Sequence, residues 1–367
     1  MKHVLIVGGG GAGTVIARKL STQLDPKEHT LTLVTARPFY IFLPATVRMA
    51  VTEEGHMEER VLIPYDRMMK GIGQLKVGRV VEISRASEKA GGKVVLEDGQ
   101  TIDYDVLVLA PGTALEGPLA YPDTESEILD TIHVWREKFR GATNIVMAGG
   151  GPVNVEFAGE IKETWPDKKV TIVQSGKLPL HKIYPDHFRK RIATECQLRG
   201  IDFVFEDYLD QEVPENGTVK TRNGKMLTAD LVIPARGGSP ATAFIKSLDP
   251  EVVTPRGLVK ADPTLQVTGH PGVFCAGDVV DNSERNRLGK YAKHASVVAA
   301  NVLAHLKGRP VSKRYRGSLE IISISLGKNG GVSYIGIFGG IVLGNFFTWL
   351  LQSRTLLLPK GRRRMGY

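Results

Sequence analysis

"VLIVGGGGAG" at residues 4–13 sets four apolar residues directly against four glycines. A short apolar run that ends in glycine suits a buried parallel strand. Residues 12–24 then carry Val15, Ile16, Leu20 and Leu24 at helical spacing, and "HTLTLVT" at 29–35 reads as a second strand. A strand, Gly8-x-Gly10-x-x-Gly13 and a helix, in that order, form the dinucleotide-binding pattern in the context that gives it meaning. Gly8 permits the tight turn, Gly10 lets backbone touch a pyrophosphate, and Gly13 lets the helix pack on the strand. Gly9, Gly11 and Ala12 complete the loop, and the free N–H groups of the helix start favour the diphosphate.

"NIVMAGGGPVNVEF" at 144–157 repeats the plan. It gives Gly149-x-Gly151-x-x-Asn154 between an apolar strand and a helix over 152–164, with the next strand at 169–174. Asn154 in the third glycine's place predicts a slightly wider gap between helix and strand. The flanks repeat as well. "KVGRVVEIS" and "GKVVLEDGQTIDYDVLVLAPG" read as strands with an Asp98-Gly99 turn; "DFVFED" and "TVKTRNGKMLTADLVIPARG" follow with an Asn223-Gly224 turn. Each half closes on an apolar strand running into glycine, Ala110-Pro111-Gly112 and Ala235-Arg236-Gly237, which indicates an internal duplication. "DPTLQVTGHPGVFCAGD" at 262–278 reads as a returning strand ending in Gly277-Asp278, with a helix over about 290–306.

An acidic residue normally ends the second strand and holds the ribose hydroxyls. Here the first unit has Thr35-Ala36-Arg37, where the Thr35 hydroxyl is a weaker substitute and Arg37 a candidate partner for a phosphate. The second has Val173-Gln174-Ser175 with Lys177 close by. Without a carboxylate beside Gln174 a 2′-phosphate meets no repulsion, so NADPH is expected alongside NADH.

The 367 residues suggest two or three domains, and 42% hydrophobic with 24% charged residues is a globular composition. A net charge of +9 suits nucleic acid, an anionic membrane, anionic cofactors or plain surface lysine. The basic residues are dispersed and no recognition motif stands out, which argues against nucleic acid; the sharpest cluster is "KGRRR" at 360–364. The two cysteines, Cys196 and Cys275, are far apart and in no CxxC, so a reducing compartment is the default and a dithiol relay is not expected. The start, Met1-Lys2-His3, carries no signal peptide, presequence or myristoylation glycine, and a cytoplasmic protein is expected. No Cys/His spacing suggests a metal, and no Ser/His/Asp set suggests a nucleophile. Two dinucleotide sites need neither, because hydride passing from a nicotinamide to a flavin uses no side-chain nucleophile.

"VGGGGAG", "LVLAPG", "MAGGGPVNVEFAGEI" and "VFCAGD", in this order, resemble the pyridine-nucleotide flavoprotein reductases over roughly residues 3–310. "LGKNGGVSYIGIFGG" followed by "SRTLLL" is similar to the C-terminal part of the apoptosis-inducing-factor-like group, nearest its ferroptosis-suppressor type. The resemblance implies an FAD enzyme that oxidises NAD(P)H and reduces a quinone. It implies an α/β fold of two Rossmann-like (three-layer ββα) nucleotide-binding domains plus a small C-terminal module. The FAD domain would comprise 1–115 and 240–308, the NAD(P)H domain 116–239 and the module 309–367. Gly8 to Gly13 would hold the FAD pyrophosphate, with Ala110-Pro111-Gly112 beside them. Arg48, in "LPATVRM", would contact FAD, Val80 would meet the adenine through its backbone, and Asp278 after Gly277 would hold ribityl or phosphate-side oxygens. Glu156 is the catalytic candidate, placed toward flavin and nicotinamide either to position the ring or to move protons. Lys290 is a looser candidate for a basic anchor. Gln352 stands where related proteins carry a lysine, so a different acceptor end is expected. The alternatives are a flavin oxidase or reductase acting on a specialised metabolite, and a redox-switched, nucleic-acid-binding effector of the apoptosis type. A monomer and a homodimer are both compatible with the sequence.

Residues 329–353 are 25 residues without a charge, enough to cross a bilayer on length alone. Six glycines and Asn329, Asn345 and Gln352 interrupt the run, so the expectation is a strand hairpin plus one helix packed on the FAD domain. Phe346, Phe347, Trp349, Leu350 and Leu351 would form an apolar lip beside Arg354, Lys360 and Arg362 to Arg364. That pattern suits reversible peripheral contact with an anionic membrane, such as a lipid droplet or the mitochondrial outer surface.

Overall fold

The computed structural model describes residues 1–85, 91–282 and 290–367. The chain opens with β1 (Lys2–Val7), α1 (Gly11–Ser21), β2 (His29–Thr35), α2 (Leu43–Val51) and β3 (Gln74–Val77). Then come β4 (Val80–Arg85), β5 (Gly92–Leu96), β6 (Thr101–Tyr104) and β7 (Val106–Leu109). The next unit has α3 (Glu125–Gly141), β8 (Asn144–Ala148), α4 (Pro152–Thr164), β9 (Lys169–Gln174), α5 (Asp186–Gln197), β10 (Ile201–Phe205) and β11 (Leu231–Pro234). β12 (Val273–Cys275) and α6 (Tyr291–Leu306) return to the first unit.

Two parallel sheets result, in the orders β12-β7-β1-β2-β3 and β10-β9-β8-β11. β1 and β7 are apolar on both faces because α1 and α6 cover one side and other elements the other; Val4, Leu5, Ile6 and Val106 to Leu109 are all buried. Val7 ends level with Val34 and Leu109, so β1 lies at the point where the connections diverge to either side. Ligands bind at the carboxyl ends of such strands. β4, β5 and β6 form an antiparallel sheet, with Gly99 in the β5–β6 turn at φ +81°. Thr218–Lys220 pairs with Met226–Thr228 around Asn223-Gly224, matching the predicted turn.

The expected long strand over 262–278 is only three residues, Val273–Cys275. Pro263 and Pro271 cannot donate to a ladder, Gly269 turns at φ +77°, and the segment pairs by isolated bridges instead.

The uncharged tail also differs from expectation. β13 (Ile321–Ser325), β14 (Gly331–Ile335) and β15 (Ile341–Leu343) make a three-stranded antiparallel sheet. α7 (Asn345–Thr348) runs into a π-turn at Trp349–Ser353, and α8 (Leu358–Met365) ends the chain. No helix among the described residues is long and apolar enough to cross a membrane. The turn between β14 and β15 explains this, since Gly339 and Gly340 take φ +82° and +101°. Nor does the module sit on the first unit alone. β13 packs on α4 and β14 on α5, while α8 packs near Leu62–Pro64. A Cβ on Gly159 would lie 2.5 Å from the Leu326 Cα, so that glycine allows α4 to approach the module.

Candidate functional site: two glycine cradles and a buried junction

The first cradle lies between β1 and α1. Gly8 has φ +111°, and a Cβ there would lie 2.1 Å from the Ala110 carbonyl oxygen. A Cβ on Gly13 would lie 1.9 Å from the Gly8 carbonyl oxygen. Gly10 is different: it has φ −77°, and among the described residues, its chain neighbours aside, nothing lies within 4 Å of the Cβ position. Gly8 and Gly13 are therefore glycine for the fold, whereas Gly10 faces open space at the start of an 11-residue helix. That first turn carries no acid, so Gly11, Ala12 and Gly13 present backbone N–H groups without a competing negative charge. The arrangement fits a diphosphate. Gly277 abuts this helix start, where an added Cβ would lie 3.0 Å from the Ala12 Cβ. Asp278 follows, accepting hydrogen bonds from the Tyr291 hydroxyl at 2.6 Å and from Thr113 at 3.3 Å. Burial pushes its carboxyl above the ordinary range.

At the end of β2, the Thr35 side chain lies against Gly9, and the Gly78 N–H donates to the Thr35 carbonyl oxygen at 2.8 Å. The Tyr65 hydroxyl donates to the Gly9 carbonyl oxygen at 2.6 Å, a support that no sequence motif marks. Val80, two residues beyond Gly78, opens β4 at this same end. The Arg37 guanidinium donates to the carbonyl oxygens of Tyr121 and Pro122 and pairs with Asp123 at 3.3 Å. Its charge is thus engaged by the segment leading into the second unit. Pro111 and Gly112 lie past the end of β7, where the Ala110 N–H bonds the Val7 carbonyl oxygen and Gly112 receives the Ala241 N–H at 2.9 Å.

The second cradle repeats the contrast. Gly149 takes φ +97°, while among the described residues, its chain neighbours aside, nothing lies within 4 Å of a Cβ on Gly151. Asn154 donates to the carbonyl oxygens of Ala148 at 3.0 Å and Gly149 at 2.7 Å. The amide thus bridges helix and turn where the third glycine would have allowed direct contact. Gln174 accepts from the Gly150 N–H at 2.8 Å and donates to the Leu178 carbonyl oxygen at 3.2 Å. It braces the loop, and the ribose end has no carboxylate from this strand. Arg236 is tied to the 209–212 loop through the Leu209 carbonyl oxygen and Glu212.

Glu156 and Glu160 lie one turn apart on α4; Glu156 meets the C-terminal module directly, and Glu160 is linked to it through Arg48. Arg48 from α2 makes a two-point ion pair with Glu160, with both contacts at 2.8 Å. Its Nη2 also donates to the Ser353 carbonyl oxygen at 2.9 Å. Arg48, Glu160 and Ser353 are all buried, so the first unit, the second unit and the module meet in one ionic junction. Lys290, similarly buried, pairs with Glu320 of the module at 2.7 Å, and Glu320 accepts from Tyr184 at 3.1 Å. Glu156 Oε1 accepts from the Ser325 N–H at 3.1 Å, the Ser325 hydroxyl at 3.0 Å and Gln352 Nε2 at 2.9 Å. Glu160 and Ser325 were not visible as partners in the sequence; the one available signal was the pair of glutamates at helical spacing in "EFAGE".

Burial pushes the Glu156 carboxyl up to about 7, against the opposing pull of the Ser325 donors. Because its folded value is raised, its contribution to stability is complete below the ordinary carboxylate range and is lost as pH rises through about 7. Glu156→Gln cannot ionise, so its unfolding free energy relative to the parent should improve between pH 5 and pH 8 in urea titrations. Parallel pH profiles would contradict this.

Cys196 and Cys275 are both buried free thiols pushed up to about 12 by burial. Neither should react with a thiol reagent at pH 8 until the protein is unfolded; a fast-reacting cysteine in the native protein would overturn this.

Residues 2–300 match the family model described as pyridine nucleotide-disulphide oxidoreductase. The chain is 42% identical over 320 residues to FAD-dependent oxidoreductase FVFD30 of Flammulina velutipes, covering 87% of this chain and 99% of the relative. It is 28% identical over 379 residues to ferroptosis suppressor protein 1 of Xenopus tropicalis, covering 99% and 96%. Among solved structures, the sulfide:quinone oxidoreductase of Aquifex aeolicus has a TM-score of 0.77 at 18% identity, over 99% of this chain and 92% of that one, a likeness of fold.

Proposed function

The chain belongs to the pyridine nucleotide-disulphide oxidoreductase family and is an FAD-dependent oxidoreductase using NAD(P)H; from that premise we propose that its acceptor is a quinone met at a membrane surface. One observation carries the reading. The π-turn Trp349–Ser353 holds exposed Leu350 and Leu351 and, within the same five residues, Gln352 and Ser353, which reach Glu156 and Arg48. A single short element thus joins an apolar surface to the partly exposed Glu156 and to the buried pair of Arg48 and Glu160. π-turns recur at functional sites.

Bound FAD supplies hydride acceptance from NAD(P)H and delivery of two electrons onward. In this reading Gly8 to Gly13 hold its diphosphate, Asp278 meets its polar chain, and Arg48 and Val80 contact it. Gly149, Gly151 and Asn154 hold the NAD(P)H diphosphate, with Gln174 bracing the loop. Glu156 holds a proton near neutrality. The two cysteines are buried, free and in different units, so they form no pair to carry electrons, which favours direct delivery to a small acceptor.

The test is NADH oxidation by the purified protein with a panel of quinones. Quinone-dependent turnover well above the rate with oxygen is expected. Absence of any quinone dependence would favour an oxidase or reductase of a specialised metabolite.

The membrane part has its own test. Phe346, Phe347 and Leu350 are exposed, and the Arg354 guanidinium lies 5.2 Å from the Trp349 ring centre. Burying one such side chain is worth about 1.5–3 kcal/mol. Replacing all three by serine should lower co-sedimentation with anionic vesicles at least ~10-fold, with flavin content as in the parent. Unchanged co-sedimentation would remove this surface from the account.

A further inference from the structure

The C-terminal module does more than bridge the two units: it chooses which oxygen of Glu156 is free. All three hydrogen bonds to that carboxyl fall on Oε1. All come from neutral donors of the module: Ser325 at the end of β13 and Gln352 in the π-turn. Among the described residues Oε2 receives none, and the side chain keeps partial exposure. The charged groups nearby already have partners of their own. Arg48 from α2 is held by Glu160 on the same helix as Glu156; farther along, Glu163 binds Asn329, and Lys328 pairs with Glu54. From β9, the strand beneath α4, buried Val170 and Ile172 join the same apolar core.

We propose that Gln352 and Ser325 are the positioning residues of Glu156: by fixing Oε1 with neutral donors alone, they reserve Oε2 as the oxygen that carries a proton for the acceptor. The inference rests on the quinone reading for the identity of the proton's destination. The balance requires such a group. NAD(P)H, a quinone and one proton give NAD(P)+ and a hydroquinone, so the hydride brings both electrons and only one of the two hydrogens. The second comes from Glu156: the Oε2–H bond breaks, an O–H bond forms on the quinone oxygen, and the carboxylate is reprotonated from water. A cation in place of Gln352 would hold the carboxylate ionised, whereas the neutral amide lets burial keep the acid form.

The experiment titrates the Glu156 carboxyl by infrared spectroscopy on the flavin-loaded protein, with the band assigned by its loss in Glu156→Gln. The Gln352→Lys variant should lower the midpoint by about one pH unit or more, a tenfold or larger fall in proton affinity, since an adjacent cation favours the charged form. Gln352→Leu should raise it, because a donor to the anion is lost. Ser325→Ala, which keeps the backbone N–H, should raise it by less and serves if the lysine variant does not fold. The alkaline limb of the pH profile of quinone turnover should move in the same directions. A merely structural role would alter stability without opposite shifts. Midpoints that agree across these variants overturn the proposal. Shifted midpoints without any quinone turnover would preserve the positioning role and refute the quinone as the proton's destination.

Discussion

A Gly10→Ala substitution is expected to leave the apoprotein within about 1 kcal/mol of the parent in unfolding free energy while weakening FAD retention at least ~10-fold. The reason is the pair of facts at this residue: φ −77° is comfortable for alanine, and among the described residues, its chain neighbours aside, no atom lies within 4 Å of the new methyl. The methyl would occupy only the space left for the diphosphate. Gly13→Ala is the control with the opposite signature. Its methyl would lie 1.9 Å from a backbone oxygen, so the loss there should be of folding itself. Urea unfolding of apoprotein together with FAD titration separates the two. If Gly10→Ala retained flavin as the parent does, or destabilised the apoprotein as Gly13→Ala does, the cradle would be a packing feature only.

Glu160→Ala is expected to cost about 3–5 kcal/mol, because it leaves the Arg48 guanidinium buried without its carboxylate. That is a large share of the roughly 5–15 kcal/mol by which folded proteins exceed their unfolded state. Arg48→Met combined with Glu160→Leu should cost less than the single change, since no buried charge is then left alone. The double variant would still lose the Arg48 bond to Ser353, so limited proteolysis should release the module more readily than in the parent. Urea titration of both variants measures the difference. A cost below about 1 kcal/mol for Glu160→Ala would show that water reaches the pair, and that the three-way junction does not hold the units together.

Both cradles were legible to the residue because each depends on side chains that are missing. Gly8, Gly10 and Gly13 answer to local geometry within six residues. β2 and β9 were legible from end to end as β-branched apolar runs bounded by turns. The helix over 152–164 followed from the repeat of the first unit's order of strand, glycines, helix and strand. The junction was not legible. Arg48 lies 112 residues from Glu160 and 305 from Ser353, and no local pattern marks an ion pair formed across such separations. The uncharged tail misled about packing for a related reason. Apolar length and glycine count speak to a span or a hairpin, but not to which unit the hairpin covers. The module as a whole covers both: Leu326 meets Gly159 of the second unit, and Gly361 of α8 meets Phe42 of the first. Thr35 and Arg37 show the limit of reading a site from position alone. Thr35 does end β2, yet Arg37 turns to the carbonyls of Tyr121 and Pro122.

The most direct measurement is anaerobic titration of the purified protein with NADH, followed by flavin absorbance. The proposal that the two cradles hold FAD and NAD(P)H predicts a yellow protein whose flavin band is bleached by roughly one equivalent of NADH per chain. A colourless polypeptide that takes up no FAD, or bound flavin that NADH leaves unchanged, would contradict the account.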